Sequence, residues 1–118
     1  MARMDTTELN ETFDLLTHPH RRYALYLLAE ESEALSIGTL ATAIATWEAD
    51  RTGMDGPTEE NAIEIGLHHS HLPKLEDAGI VTVAENEDSI TLRRTDGLDR
   101  LLTDTARLDG YPPIVADE

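Results

Sequence analysis

The most constraining feature of the sequence is the order of local signals in residues 56–95. Thr58 can cap a helix, and the two glutamates after it suit the positive end of a helix dipole. A helical run follows to Ala78, and Gly79 predicts its end. Two short β-branched runs come next, at 80–85 and 89–93, joined by a polar turn at 86–88. This order predicts a helix followed directly by a β-hairpin.

Hydrophobic periodicity and cap signals predict three helices before this segment and one after it. With the helix of the segment itself, the predicted helices span residues 7–16, 19–30, 36–48, 58–78 and 96–108. In the first of them, Leu9, Phe13 and Leu16 recur at helical spacing and predict a packing helix. The fold class predicted is mainly α with a β-hairpin wing, a winged helix-turn-helix. We expect one domain over residues 1–110 and a tail over 111–118.

The helix predicted at 58–78 contains two irregularities. Gly66 is a weak helix former, and Pro73 should kink or split the helix because it removes the hydrogen bond to the carbonyl of His69. A helical wheel predicts an inward face of Ala62, Ile65, Leu72 and Leu75, flanked by His68 and His69 as hydrogen-bonded groups at the edge of the core. The loop before it, at 50–57, is longer than the turn of about 3–4 residues in a compact helix-turn-helix.

The wheel also predicts apolar groups that point away from the domain. Ile63 and Leu67 fall on the outward face, which suggests a second packing surface. Leucines at 98, 101, 102 and 108 give the last helix an apolar stripe, for which two explanations remain open: packing against a second copy or against its own domain. The interface candidates are Ile63, Leu67, Leu98, Leu101 and Leu102.

Charge is the unusual feature of the composition. The chain carries 24 acidic and 9 basic residues, for a net charge of −15, and Lys74 is its single lysine. Dispersed acidic residues with scarce lysine favour a protein that lives in very high salt, where self-repulsion is screened. The alternative is an ordinary acidic protein.

The sequence shows no pattern typical of an enzyme or a metal site. There is no cysteine, which excludes disulfides and thiolate ligands. The GxSxG, GKS/T and GxGxxG motifs are absent. His68, His69 and His71 invite a metal hypothesis, but they lack HExxH spacing. We therefore expect no enzymatic activity, no cofactor and no metal.

Nucleic-acid contacts are the best-supported chemistry. Ser70, His71 and Lys74 share the predicted outward face of the fourth helix and could reach base edges or phosphates. Four arginines near helix and strand ends could hold the DNA backbone: Arg21, Arg22, Arg93 and Arg94. The negative net charge opposes binding to DNA. In molar salt, however, the counterion-release contribution is already largely lost, and a DNA-binding protein must use shape and direct contacts.

Two blocks of the sequence resemble a known family. HPHRRY at 18–23 with LYLL at 25–28, and LHHSHLPKLEDAGIV at 67–81, resemble a haloarchaeal winged-helix domain family. The second block is also similar to the HLxxLxxAGIV end of ArsR-like regulators. The resemblance covers roughly residues 11–108 and implies a regulator, usually dimeric, that binds DNA through the helix holding residues 68–75 and through the wing. Without cysteine, thiolate metal sensing is ruled out.

These observations lead to a functional expectation. We expect a DNA-binding transcriptional regulator that acts as a homodimer in a high-salt cytoplasm, and the alternative is a winged-helix interaction or dimerisation module without DNA binding. No apolar run approaches the roughly 20 residues of a membrane span, and the N-terminus lacks the apolar core of a signal peptide. The expected location is therefore cytoplasmic, with no membrane partner.

Overall fold

The computed structural model describes residues 5–31, 33–52, 57–84 and 89–111, with the side chains of 50–52 and 57–59 excepted. The predicted turn at 86–88, the tip of the predicted loop at 50–57 and the tail beyond Tyr111 lie outside these ranges. The elements in order are α1 (Thr6–Leu15), α2 (Pro19–Glu30), α3 (Ile37–Thr52), α4 (Pro57–Gly66), a π-helical segment (Leu67–His71), α5 (Leu72–Asp77), β1 (Val81–Val83), β2 (Ile90–Leu92) and α6 (Asp96–Asp109).

The architecture confirms the predicted fold class, a mainly helical chain with a β-hairpin wing. β1 and β2 pair antiparallel, with Val81 opposite Leu92 and Val83 opposite Ile90. Leu35, in the connection between α2 and α3, exchanges both backbone hydrogen bonds with Ile90, at 3.1 and 2.8 Å. This bridge fixes the hairpin to the helical body, because an isolated two-stranded hairpin is only marginally stable in water.

The core is built around α2. Ala24, Leu25 and Tyr26 are fully buried there, and α2 contacts α3, α6, β2 and the π-helical segment. Side chains from each of those elements complete the core, among them Leu40, Ile44, Leu67, Ile90 and Leu102. Within the described ranges, no helix has both the length and the apolar character needed to cross a bilayer.

α1 packs against this core with fewer apolar side chains than its periodicity predicts. Thr12, Leu15 and Leu16 are buried, whereas Leu9 is 37% and Phe13 50% exposed. The prediction that Leu9 and Phe13 pack inward is therefore wrong. Asp5 and Glu8 start the helix with a capping box, which orients it independently of those two side chains.

The connection between α3 and α4 is shorter than predicted. α3 continues to Thr52 and α4 begins at Pro57, so only residues 53–56 separate them. The turn-rich composition of 50–57 suggested a longer loop, but the last turn of α3 absorbs its first residues. The spacing is that of a compact helix-turn-helix.

The helix predicted at 58–78 is interrupted by the π-helical segment immediately before Pro73. Leu72 donates its backbone N–H to the carbonyl of Leu67, five residues back. An α-helical turn would bring the proline ring against the carbonyl of His69, and the wider π turn relieves that clash. The predicted disturbance at Pro73 is confirmed, and its form is a π turn.

The π turn reverses the predicted faces upstream of it. Ile63 is 2% and Leu67 0% exposed, so both belong to the core, while Ile65 is 52% exposed. In α geometry, at about 100° per residue, Ile63 and Leu72 would lie on opposite sides of one helix. The π turn advances the chain by a smaller angle per residue and brings both to the core side. The prediction that Ile63 and Leu67 point outward is wrong.

The stripe of α6 is directed into its own domain. Leu98 is 3% and Leu102 0% exposed, Leu101 is half-buried, and Leu108 is 87% exposed. Leu98 and Leu102 therefore pack on the domain, chiefly through the contact of α6 with α2. Of the two explanations for the stripe, packing on its own domain holds for these leucines. Leu108 is the exception.

Candidate functional site

The exposed surface of the helix before the wing carries Asn61, Glu76 and Asp77, and between them four further polar side chains. His68, His69, Ser70 and Lys74 are all exposed, and we call this set the outer face. Ser70 and Lys74 were predicted to point outward, and they do. His68 and His69 were predicted to be groups at the core edge, which is wrong, because the π turn rotates both toward solvent.

His71, predicted to be an outward contact, is buried. It is 7% exposed and closes the π-helical segment. The Nε2 edge of its ring packs beside Gly66, where an added Cβ would lie 3.6 Å from Nε2. The ring therefore faces the interior side of the helix and cannot reach a base edge from the outer face.

Arg21 and Arg22 are half-buried and donate hydrogen bonds to groups of the protein instead of projecting as free cations. Arg21 donates from Nε to the carbonyl of Leu15 at 2.6 Å. Arg22 donates from Nη1 to the carbonyl of Leu16 at 2.6 Å, and from Nε to Asp109 Oδ2 at 2.7 Å. Both arginines thus satisfy the carbonyl end of α1, where cations are favourable. Their position in the first turn of α2, unfavourable for the dipole of α2 itself, has this structural explanation.

The two arginines after β2 differ in their engagement. Arg94 donates from Nη1 to the carbonyl of Ala29 at 3.0 Å and lies 3.5 Å from Asp99. Arg93 is exposed, and its Nη1 would lie 3.5 Å from a Cβ added to Gly79, so its guanidinium group covers the end of the helix that carries the outer face. Gly79 has φ +78°, the left-handed conformation that glycine tolerates best. Of the four arginines, Arg93 is the exposed one at the end of the helix that carries the outer face, and the half-buried Arg21 lines a groove together with Lys74.

A groove of about 310 Å³ separates α1 from α5. Its lining includes Arg21 and Lys74 together with three carboxylates, those of Glu11, Asp14 and Asp77. Acidic side chains therefore outnumber basic ones in this groove. A phosphate would therefore be repelled from this groove. Lys74 can contact an anion more favourably outside the groove, on the side that faces solvent.

Three histidines from two separate elements meet on the other side of the helix. His18 caps α2 and His20 lies in its first turn, while His71 comes from the π-helical segment. Each offers a ring nitrogen, and these nitrogens lie within 4.8 Å of one another. The centroids of the His18 and His71 rings are 4.3 Å apart. We call these three residues the histidine cluster.

The environment of the histidine cluster favours the neutral form of two of its rings, those of His18 and His71. Burial lowers the pKa of His71 to about 4, and the nearby His18 and Arg21 add to that shift. Burial also lowers the pKa of His18, with further contributions from His20 and Arg21. At neutral pH each of these two rings is therefore uncharged and carries one nitrogen lone pair. Glu48 Oε2 lies 2.9 Å from His20 Nε2.

Sequence reasoning grouped His71 with its chain neighbours and missed its spatial partners. His68 and His69 stack edge to face on each other, with centroids 4.7 Å apart, and neither belongs to the cluster. The signal available in the sequence was the HPH motif at 18–20 opposite a helix containing Pro73. The three histidines come together only because α2 packs against the π-helical segment, and the sequence does not show that contact.

The comparisons with known proteins identify a family without assigning an activity. A family model described as a domain of unknown function, DUF7344, matches residues 13–91. No curated protein and no solved structure matches the chain. The matched region includes α2, the outer face, the histidine cluster, β1 and the first two residues of β2. Because the model matches more than half of the chain, the protein belongs to the DUF7344 family.

Proposed function

We propose that the protein is a DNA-binding transcriptional regulator that works as a homodimer in a high-salt cytoplasm. The observation that carries the proposal is the outer face itself, a solvent-exposed polar surface on the helix directly before the wing. The short connection of residues 53–56 supports it, because α3 and the helix after it then form a compact helix-turn-helix. The resemblance to ArsR-like regulators points the same way.

The contacts divide by chemistry. Lys74 and Arg93 are the exposed cations on this side and are assigned to phosphates. Ser70 and the two exposed histidines can donate to or accept from base edges. Arg22 and Arg94 are not assigned to phosphates, because carboxylates and carbonyls of the protein occupy their guanidinium groups. His71 is not assigned to DNA, because it is buried.

Net charge sets the conditions under which this interface works. At −15 the protein repels DNA at low ionic strength, whereas in molar salt the repulsion extends only about 3 Å. Few cations reach the DNA, so the electrostatic share of the affinity is small from the outset. Direct and water-mediated contacts of the outer face then supply most of the binding energy.

Removing the cation of the outer face should weaken DNA binding. For Lys74→Ala, we expect about tenfold lower affinity for a fragment from upstream of the protein's own gene, and a salt dependence smaller by about one phosphate contact. Lys74 is exposed, so the fold should be unaffected. Fluorescence anisotropy across a series of KCl concentrations, up to molar, measures both quantities.

Arg107→Ala is the matched control for this experiment. Arg107 is 75% exposed and pairs with Asp104 within α6, away from the outer face. Its removal changes the net charge by the same amount and should leave the affinity unchanged. Equal losses in both variants would mean that only net charge matters, and no binding of folded wild-type protein in molar KCl would end the DNA proposal.

Dimerisation is proposed through a different surface from the one predicted. Leu9 and Phe13 on α1 and Leu108 on α6 are the exposed large apolar groups at this end of the domain. A groove of about 270 Å³ joins the two helices, and it is lined by Phe13, Leu16, Thr105 and Leu108 together with the ion pair of Arg22 and Asp109. A second copy related by a two-fold axis can cover this surface with the same groups.

A charge placed on this surface should separate the copies. We expect wild-type protein in molar KCl to show twice the chain mass of 13.1 kDa, and Leu108→Asp to show the single mass, by light scattering. Ile65→Asp is the control, because Ile65 is an exposed apolar residue on α4. A wild-type monomer contradicts the dimer, and dissociation by Ile65→Asp alone places the interface on α4.

The alternative of an interaction module without DNA binding has lost its main support. It rested on Ile63 and Leu67 as outward apolar groups, and both are in the core. The acidic start of α4 remains, but the side chain described there, Glu60, accepts a hydrogen bond from Thr42 of α3 at 2.7 Å. That carboxylate therefore joins two helices of the same domain.

A further inference from the structure

Packing and hydrogen bonding within the protein do not explain why three imidazoles of the histidine cluster lie so close together. His18, His20 and His71 bring three imidazoles from two elements to within 4.8 Å, measured between ring nitrogens. A histidine retained only for packing needs one or two hydrogen bonds and no second imidazole. Three imidazoles that converge at the edge of a core are the ligand set that zinc and similar divalent ions prefer.

The hydrogen bonds around the cluster indicate which lone pairs it offers. Glu48 Oε2 lies 2.9 Å from His20 Nε2, and the tautomer of His20 that donates Nε2–H to this carboxylate offers its lone pair on Nδ1. A carboxylate behind a histidine in this way is the usual second partner of a metal ligand, because it fixes the tautomer and raises the basicity of the ring. His71 Nδ1 faces Arg21 Nη1 at 3.4 Å, a long contact that a stronger ligand can replace.

We propose that His18, His20 and His71 form a binding site for a divalent transition-metal ion of the zinc type, with Glu48 orienting His20. The imidazoles supply three positions, and water or an external group completes the coordination, as in open zinc sites. The proposal does not depend on DNA binding, because the site lies in the helical body and none of its ligands belongs to the outer face.

The geometry requires a small adjustment on binding. Nitrogen ligands of tetrahedral zinc lie about 3.4 Å apart, so the rings must close by on the order of 1 Å. His18 and His20 are half-buried at the rim and have room to turn, whereas the buried His71 is the fixed point. His18 Nδ1 accepts the backbone N–H of His20 at 3.1 Å, and a switch of tautomer at His18 exchanges this cap for a metal bond.

Occupancy of the site would join the start of α2 to the π-helical segment. Such a cross-link stabilises the folded chain through mass action, because the unfolded chain does not hold the three rings together. At metal concentrations near one hundred times the dissociation constant, the thermal midpoint should rise on the order of 10 °C. The dispersed carboxylates bind divalent ions without specificity, and molar KCl suppresses that background.

The test uses the full chain, freed of metal with a chelator and held in molar KCl at neutral pH. Titration with Co²⁺ should give visible ligand-field absorption that saturates at one ion per chain and is displaced by Zn²⁺. His20→Gln and His18→Asn should each weaken Co²⁺ binding at least about tenfold, and Glu48→Gln by about tenfold. Asn at position 18 keeps a cap for α2, so that variant separates metal binding from helix capping.

His69→Gln is the matched control, because His69 is exposed and lies outside the cluster. It should bind Co²⁺ like the wild type. If a cluster variant fails to fold, side-chain NMR of the wild type decides, since Zn²⁺ should shift the ring resonances of His18, His20 and His71 and leave those of His68 and His69 in place. Absence of stoichiometric absorption, or equal affinity in His20→Gln and wild type, overturns the proposal.

Discussion

Ile63→Asp should unfold the protein. Ile63 is 2% exposed and belongs to the hydrophobic core built around α2. A carboxylate there has no partner and must either remain charged in an apolar site or take up a proton, and both are costly. The expected loss is more than about 4 kcal/mol, comparable with the whole stability of a small domain. Circular dichroism and chemical denaturation in molar KCl measure it.

Ile65→Asp is the internal control, with the same substitution two residues further along the same helix. Ile65 is 52% exposed, so the new carboxylate stays in water and the free energy of unfolding should change by less than about 0.5 kcal/mol. Comparing the stabilities of these two variants therefore shows which of the two isoleucines of α4 faces the core. A folded Ile63→Asp together with an unfolded Ile65→Asp would restore the register predicted from an uninterrupted α-helix.

The sequence predicted the order of elements well because each boundary has a local cause. Thr95 caps α6 through the N–H of Leu98, Gly110 ends it in the left-handed conformation, and Pro19 starts α2. Each of these signals acts over a few residues, and the sequence displays it directly. The mainly α fold with a β-hairpin followed from signals of this kind.

The faces of the helix before the wing could not be predicted in the same way. An amphipathic wheel assumes a constant angle per residue, and the π-helical segment violates that assumption. Pro73 signalled a disturbance but not its form, since a proline can kink, break or widen a helix. One wide turn was enough to exchange Ile63 with Ile65, and His71 with His68, between core and solvent.

The prediction of the site residues was incomplete for a second reason, because residues that contact each other in the fold lie far apart in the sequence. Arg22 looked like a free cation because its carboxylate partner, Asp109, lies 87 positions away. His71 looked like an outward contact because its cluster partners lie at the start of α2. Ser70, Lys74 and Arg93 were placed correctly on the exposed surface, since their exposure needs no distant partner. Long-range packing therefore decided which of the predicted contact residues are exposed.

Asp109→Ala should lower stability by about 2–3 kcal/mol. Asp109 accepts hydrogen bonds from Arg22 Nε at 2.7 Å and Nη2 at 3.2 Å, and a further short one from the Tyr26 hydroxyl. Tyr26 is fully buried, and the side chains of Arg22 and Asp109 are only 21% and 16% exposed. Truncation removes the carboxylate that accepts from the Tyr26 hydroxyl and from Arg22 Nε and Nη2. The free energy of unfolding falls because these buried donors lose that acceptor. Chemical denaturation compares the variant with wild type.

Asp104→Ala is the matched control, because Asp104 lies in the same helix and pairs with Arg107 at 3.7 Å with both side chains mostly exposed. An exposed pair of this kind is worth about 0–1 kcal/mol, so its loss should scarcely register. Equal losses of stability in Asp104→Ala and Asp109→Ala would mean that the hydrogen bonds of Asp109 contribute no more than an exposed ion pair does. Because Arg22 is assigned to stability and not to a phosphate, folded Asp109→Ala should bind DNA with unchanged affinity. Tighter binding at unchanged stability would instead mean that Asp109 restrains Arg22 from reaching a phosphate.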